Sequence, residues 1–262
     1  MALAEIVHVA IAAPDTLEES LIQKVAAIVN KDLYETRLML VGKIPKIIVH
    51  YNTMQMAEQS AQSLRALGLV AIVCTDSTLR KASQFFRAYT LKLEQKEAVF
   101  WDKSGQFIRL DSNNTFLILA GKTQPYSEKE VTKTRTELNL PATVLTGGLP
   151  VLRKVKVKTG GTFVQAERFL RLYDRESLNP SVEILQHHFD YSFLEGEMTP
   201  SSITNFNTTV EKIRNVFPEA VFDDRLTEPL GVNIPSAKPQ DNIEINCRLI
   251  YLYHQAISDL PR

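Results

Sequence analysis

The sequence predicts an α+β protein in which a small β-α-α-β-α-β N-terminal module precedes antiparallel, β-rich sequence with packed helices. Three observations predict it. Short apolar runs alternate with helix-spaced apolar stripes through the first 76 residues. Compact β-type runs separated by turn residues fill residues 85–120, and two amphipathic helical stripes occupy the last third.

Residues 4–12 read as the first strand, with Ile6, His8 and Ala10 alternating with Val7, Val9 and Ile11. Pro14-Asp15-Thr16 breaks it, and Thr16 with Glu19 three residues on has the spacing of a capping box. Leu21, Ile22, Val25, Ile28 and Val29 follow at helical spacing. A shorter helix runs from near Leu33 towards Gly42, and Lys46 to Tyr51 form the second strand. Asn52 or Thr53 caps a third helix with an inner stripe of Ala57, Ala61 and Leu64. Gly68 is suited to end that helix, and Leu69 to Cys74 form the third strand.

The pattern then changes. Residues 85–93, 97–101, 106–110 and 115–120 read as a four-strand antiparallel meander, with Asp102 to Gly105 as one turn. Domain expectations follow: a module over 1–76, a meander over 77–125, a linker over 126–150 and a β-rich domain over 151–262. The last contains a basic strand, paired strands at 169–174 and 182–193, helices at 202–217 and 242–257, and a short strand at 220–222. Ser201 or Ser202 caps the first of these helices, whose stripe is Ile203, Phe206, Val210, Ile213 and Phe217; Asp241 caps the second.

The first 75 residues resemble the C-terminal domain of the bacterial ribosomal stalk protein. The likeness rests on the β-α-α-β-α-β order, the run SLIQKVAAIVNKDL, a second helix ending before Pro45, and a third ending in Leu67-Gly68. It implies that fold and a partner-binding role, with Arg37 keeping one positive charge of the family's contact helix. The family's glycine is missing there, and Asp32 and Glu35 add negative charge, which weighs against a translation-factor dock. Residues 84–122 resemble bacterial pleckstrin-homology-like domains in the charged hairpin FWDKSGQFIRL followed by FLIL. The whole chain resembles a protein of bacterial type.

Thirty basic and 30 acidic residues cancel across 262, which excludes a chain-wide electrostatic grip on nucleic acid or an anionic membrane. Two cysteines make no disulfide framework. The first residues lack a basic-then-apolar leader pattern, and no apolar run approaches the ~18 residues of a membrane span. A cytoplasmic location is the expectation.

Signals for chemistry are sparse. His187-His188-Phe189-Asp190, read on a strand, puts neighbouring imidazoles on opposite faces and pairs His188 with Asp190, a poor geometry for metal. Asp223-Asp224-Arg225, read as a turn, offers two carboxylates with Arg225 as their salt-bridge partner. The glycine pairs 147–148 and 160–161 lack the remainder of a phosphate loop, and there is no Gly-x-Ser-x-Gly elbow. Charge is the stronger signal: residues 122–158 hold eight basic and three acidic side chains, and Arg153, Lys154, Lys156 and Lys158 mark one basic strand. Such a strand suits an acidic protein, RNA or lipid headgroups, or protects a solvated sheet edge. The lack of interleaved aromatics weighs against single-stranded nucleic acid.

The expected function is therefore non-catalytic protein binding or scaffolding through Arg153, Lys154, Lys156, Lys158 and Arg37, with no cofactor and no metal. The alternatives are an enzyme with a site near His187, His188 and Asp223, and lipid-surface binding through the basic strand.

Overall fold

The computed structural model describes residues 5–14, 16–82, 84–123, 126–127, 132–138, 152–158, 163–164, 166–228 and 239–259. Helices and mixed or antiparallel sheets make it α+β. The chain forms two compact units, one of residues 1–123 with 167–262 and one of residues 124–166.

The larger unit opens with β1 (Val7–Ile11), α1 (Glu19–Val29), α2 (Leu33–Met39), β2 (Lys46–Tyr51), α3 (Met54–Arg65) and β3 (Ala71–Thr75). The strands form an antiparallel sheet of order β2-β1-β3. All five β1 residues are buried, so this central strand is covered on both faces. Val7, Val9 and Ile11 meet Ile22, Val25, Ala57, Ala61 and Leu64 of α1 and α3 on one face. Thr53 caps α3 by accepting the Met56 N–H at 3.3 Å, and Asp32 caps α2 by accepting the Glu35 N–H at 2.7 Å. The capping box expected at Thr16 does not form. Glu18 is the N-cap of α1, without a side-chain cap, because the helix starts later than the Thr16–Glu19 spacing requires. At the other end Asn30 takes a left-handed conformation, φ 53°, and its N–H returns to the Ala26 carbonyl.

After α4 (Asp76–Arg80) come β4 (Phe86–Ala88), β5 (Thr90–Leu93), β6 (Glu97–Trp101), β7 (Phe107–Asp111) and β8 (Thr115–Lys122). Residues 85–93 are thus two strands that separate at Tyr89. β5, β6 and β7 make a three-stranded sheet, whereas β4 joins β8, β13 (Arg168–Asp174), β14 (Val182–Leu185) and β15 (Val221–Leu226) in the order β15-β8-β13-β14-β4. Pairs β15–β8 and β14–β4 are parallel. The strand expected over 182–193 stops at Leu185. A turn and a 3-10 segment, Ser192–Glu197, replace the rest. The cause is tertiary: the buried Tyr191 hydroxyl donates to the Gln186 carbonyl at 2.8 Å, and Phe189 and Tyr191 enter the core from a reversal of the chain.

One face of the five-stranded sheet is covered by the small sheet and by α5 (Ser202–Val216), through Phe206, Val210, Ile213 and Phe217. Ser201 caps α5, accepting the Thr204 N–H at 3.3 Å. Ile203, expected in the inner stripe, is exposed, because the first turn of α5 overhangs the core. The other face meets α6 (Pro239–Ser258), which starts two residues before its expected Asp241 cap, proline being tolerated in a first helical turn. Ile243, Cys247, Ile250 and Tyr251 of α6 pack on this sheet. Ile245, Leu249 and Leu252 pack with Ala10, Ile72, Cys74 and Leu79, on the second face of the N-terminal sheet. A single helix, apolar on two sides, therefore lies between two sheets.

The smaller unit is one excursion of the chain between β8 and β13. It contains β9 (Tyr126–Ser127) paired with β12 (Phe163–Val164), and β10 (Thr132–Leu138) paired with β11 (Leu152–Lys158), both antiparallel. Residues 126–150, expected as a linker, thus include a seven-residue strand. Its β-branched Thr132, Thr134 and Thr136 recur with period two and suit a pleated ladder.

Candidate functional site

Every residue of β10 is in register with one of β11, from Thr132 opposite Lys158 to Leu138 opposite Leu152. Lys154, Lys156 and Lys158 occupy alternate positions opposite Thr136, Thr134 and Thr132, and Arg153 lies opposite Glu137. With Lys133 and Arg135, the ribbon carries six basic residues and one acidic residue. Among the described residues neither strand pairs with a third, so each presents one edge of backbone donors and acceptors. Arg37 lies elsewhere, on α2, where its guanidinium is ion-paired with Glu19 of α1.

His187, His188 and Asp223 belong to different neighbourhoods. The His187 N–H donates to Glu167 Oε1 at 2.7 Å, and His188 Nδ1 lies 3.0 Å from the same oxygen. Asp190, the partner expected for His188, instead accepts the Ser192 N–H at 3.0 Å and its hydroxyl at 2.9 Å. The reason is the turn after β14, which ends the strand alternation that pairing required. Asp223 lies within β15 rather than in a turn, so Asp223 is buried while Asp224, on the opposite face, is exposed. Three strand intervals, about 14 Å, separate β15 from β14.

Asp223 has its own partners. His254 Nε2 lies 2.7 Å from Oδ2, and Arg225 donates through Nε to both carboxylate oxygens at 3.1 and 2.9 Å. Burial pushes this carboxyl up, but the hydrogen bonds from His254 and Arg225 outweigh it and hold the group well below the usual carboxylate range. Arg225 was legible as the partner of Asp223 from their adjacency. His254, thirty-one residues away, was not.

A second cluster carries no local sequence signal. Register places His8 of β1 between His50 of β2 and Cys74 of β3. Buried His8 meets Asp76 Oδ1 through Nε2 at 3.0 Å and His50 Nδ1 through Nδ1 at 2.7 Å. Arg80 Nε holds the Asp76 carboxylate at 2.8 and 3.0 Å. Partial burial lowers the His50 pKa, and positive charge at Lys31 acts in the same direction. The two histidines are 42 residues apart, and His8 and Asp76 are 68 apart, so only the fold brings them together.

A third group is a row across the five-stranded sheet. Register aligns Asp223, Leu119, Arg171, Glu183 and Arg87. Buried Arg171 donates to Glu183 Oε1 at 3.0 and 2.9 Å and to Glu244 of α6 at 2.5 and 3.1 Å. Its guanidinium carbon also lies 5.1 and 4.9 Å from the ring centres of Phe85 and Phe169. These groups satisfy one another and read as an internal clamp.

Among the described residues, no group of three or more His, Cys, Asp or Glu is placed to hold a metal ion, and no helix is long and apolar enough to cross a membrane. A cleft of about 460 Å³ beside the end of α5, lined by Glu211, Arg214, Phe217 and Phe222 among others, contains neither histidine nor cysteine. Comparison with protein-family models, with curated proteins and with solved structures finds no match to this chain.

Proposed function

We propose that this is a non-catalytic binding protein that meets an acidic protein surface through the β10–β11 ribbon. One observation carries the reading: six basic residues and one acidic residue are concentrated on a two-stranded ribbon inside a compact unit of its own, in a chain whose net charge is zero. A local positive field on a neutral body steers an acidic partner and orients its approach. The strand edges left unpaired among the described residues add main-chain hydrogen bonding as a second mode of contact. Neither ribbon strand contains an aromatic residue, which argues against stacking on single-stranded nucleic acid. The separation of His188 from Asp223 weighs against an enzyme built on those groups. The N-terminal module adds a second surface on this reading, where Leu33, Tyr34 and Leu38 are exposed beside Arg37.

The test uses the whole chain beside its Lys154→Glu/Lys156→Glu/Lys158→Glu variant. Pull-down followed by identification is expected to recover an acidic protein with the native chain, to weaken as salt rises, and to fail with the variant. Equal recovery by both chains, or none by either, refutes the reading. Salt-sensitive flotation of the native chain with anionic vesicles, absent for the variant, would reassign the ribbon to a lipid surface.

A further inference from the structure

We infer that His8 and His50 form an open, two-imidazole site for a borderline divalent cation of the Zn²⁺ or Cu²⁺ type. The site lies in the larger unit and is independent of the ribbon. Its geometry follows from strand register. His8 and His50 are direct cross-strand partners in β1 and β2, which brings side-chain origins within about 4.5–5.5 Å. Their Nδ1 atoms face each other at 2.7 Å.

The protonation pattern follows from Asp76. An ionised carboxylate only accepts hydrogen bonds, so the proton of neutral His8 resides on Nε2, which donates to Asp76 Oδ1 at 3.0 Å. His8 Nδ1 is then a lone pair aimed at His50. A carboxylate behind an imidazole, with the opposite nitrogen free to coordinate, is the outer support that metal-binding histidines commonly have; it fixes the tautomer and raises ligand basicity. Arg80 holds Asp76 in turn, so His8 is set before any ion arrives.

His50 supplies the second nitrogen and the entrance. Without an ion, its Nδ1–H donates to His8 Nδ1. Moving that proton to Nε2 leaves two lone pairs directed at each other, and a turn of the His50 ring makes them converge on an ion. An ion about 2.0–2.1 Å from each nitrogen, at an angle between square and tetrahedral, needs the nitrogens ~2.9–3.4 Å apart. The pair must open by less than about 1 Å, a movement assigned to His50 at the surface while buried His8 stays fixed.

The surroundings define the site as open. Cys74, opposite His8 on the other side, is packed with Leu79 and Leu249 in an apolar cluster and does not complete a ligand set. Lys31 contributes positive charge at His50 but is ion-paired with Glu35. Water or a donor from a bound molecule fills the remaining positions. Imidazole donors suit Zn²⁺ and Cu²⁺, and the ordinary order of complex stability favours Cu²⁺.

Titration calorimetry with Zn²⁺ alone, and Cu²⁺ electron paramagnetic resonance, test the assignment on the full chain. The native protein is expected to bind one equivalent in the micromolar range, with a Cu²⁺ spectrum showing two nitrogen donors. His50→Gln, at an exposed position and expected to fold normally by circular dichroism, should weaken binding at least tenfold. Asp76→Asn should weaken it by roughly 10–100-fold while leaving both ligands in place. His187→Gln/His188→Gln should bind as the native chain does. Binding that survives His50→Gln, or that is lost in His187→Gln/His188→Gln, overturns the assignment. So does no binding by the native chain, which would leave a pair that only shares a proton.

Discussion

Replacing Glu183 by leucine probes the clamp that joins α6 to the five-stranded sheet. Arg171 is 4% exposed and Glu183 3%, so neither charge has bulk water as a fallback. Glu183 Oε1 accepts two hydrogen bonds from Arg171, while Oε2 accepts two from Arg87 at 3.2 and 3.1 Å. Glu183→Leu removes half of the hydrogen bonds from Arg171 to carboxylates and leaves the buried guanidinium paired with Glu244. Breaking a buried pair from one side costs about 3–5 kcal/mol. Against a total stability of about 5–15 kcal/mol this is a large share. With a urea dependence of about 2 kcal/mol/M, the midpoint should fall by about 1.5–2.5 M. The double variant Arg171→Met/Glu183→Leu should recover most of the loss, because it removes the stranded charge as well as its partner. The groups left behind can rehydrate, since the side chains of Glu244 and Arg87 are 27% and 60% exposed. Urea unfolding followed by tryptophan fluorescence and circular dichroism measures both. A single-variant loss below about 1 kcal/mol, or a double variant less stable than the single, would refute the clamp.

Three further outcomes follow from particular contacts. Asp223→Asn should cost about 3 kcal/mol at pH 7 by removing the charge that pairs with Arg225 and His254. The depressed Asp223 carboxyl contributes stability fully present above its unfolded value near pH 4 and lost as pH falls below it, so thermal melts should show the gap closing in acid; a gap unchanged down to pH 2 contradicts the ion pair. Gly121→Ala places a Cβ well inside van der Waals contact of the outer Phe169 ring carbons and should cost about 1–3 kcal/mol in urea unfolding, a neutral result excluding that close approach. Burial pushes the Cys247 thiol up to about 12, so alkylation at pH 8 should label it only after unfolding, and rapid labelling of the native chain would count against its burial.

What was legible divides by the range of the forces involved. Apolar periodicity located the strands and helices of the first 75 residues, and short-range cap chemistry narrowed two caps to Asn52 or Thr53 and Ser201 or Ser202, of which Thr53 and Ser201 act, because a cap needs only a side-chain acceptor and an N–H three residues on. The same logic failed at Thr16, where the spacing was present but the helix began elsewhere. It failed again after Leu185, where Tyr191 folds back on Gln186 in a contact that alternation cannot encode. The basic residues of β11 were legible as a charge pattern, whereas their antiparallel partner β10 was not. Its threonines, lysine, arginine and glutamate have the polarity of a loop and gain strand character from pairing.

The groups with the richest chemistry were the least legible, for the same reason. His8 reads as one polar residue in an apolar strand, and nothing nearby in sequence announces His50 or Asp76. Arg171 and Glu183 look like ordinary strand residues until the sheet order sets them side by side beneath Glu244. In each case a buried polar group is tolerable only because a distant segment satisfies it, since burial without a partner is costly. Helix α6 is the element that produces this situation. By covering one sheet with Ile243, Cys247 and Ile250, and the other with Ile245 and Leu249, it removes water from two sheet faces at once. The polar residues left on those faces must then pair with one another. The ribbon stands under the opposite condition, with no third strand paired to it among the described residues. Its charges were readable from sequence because they alternate along one short strand, a pattern that needs no distant residue to be recognised.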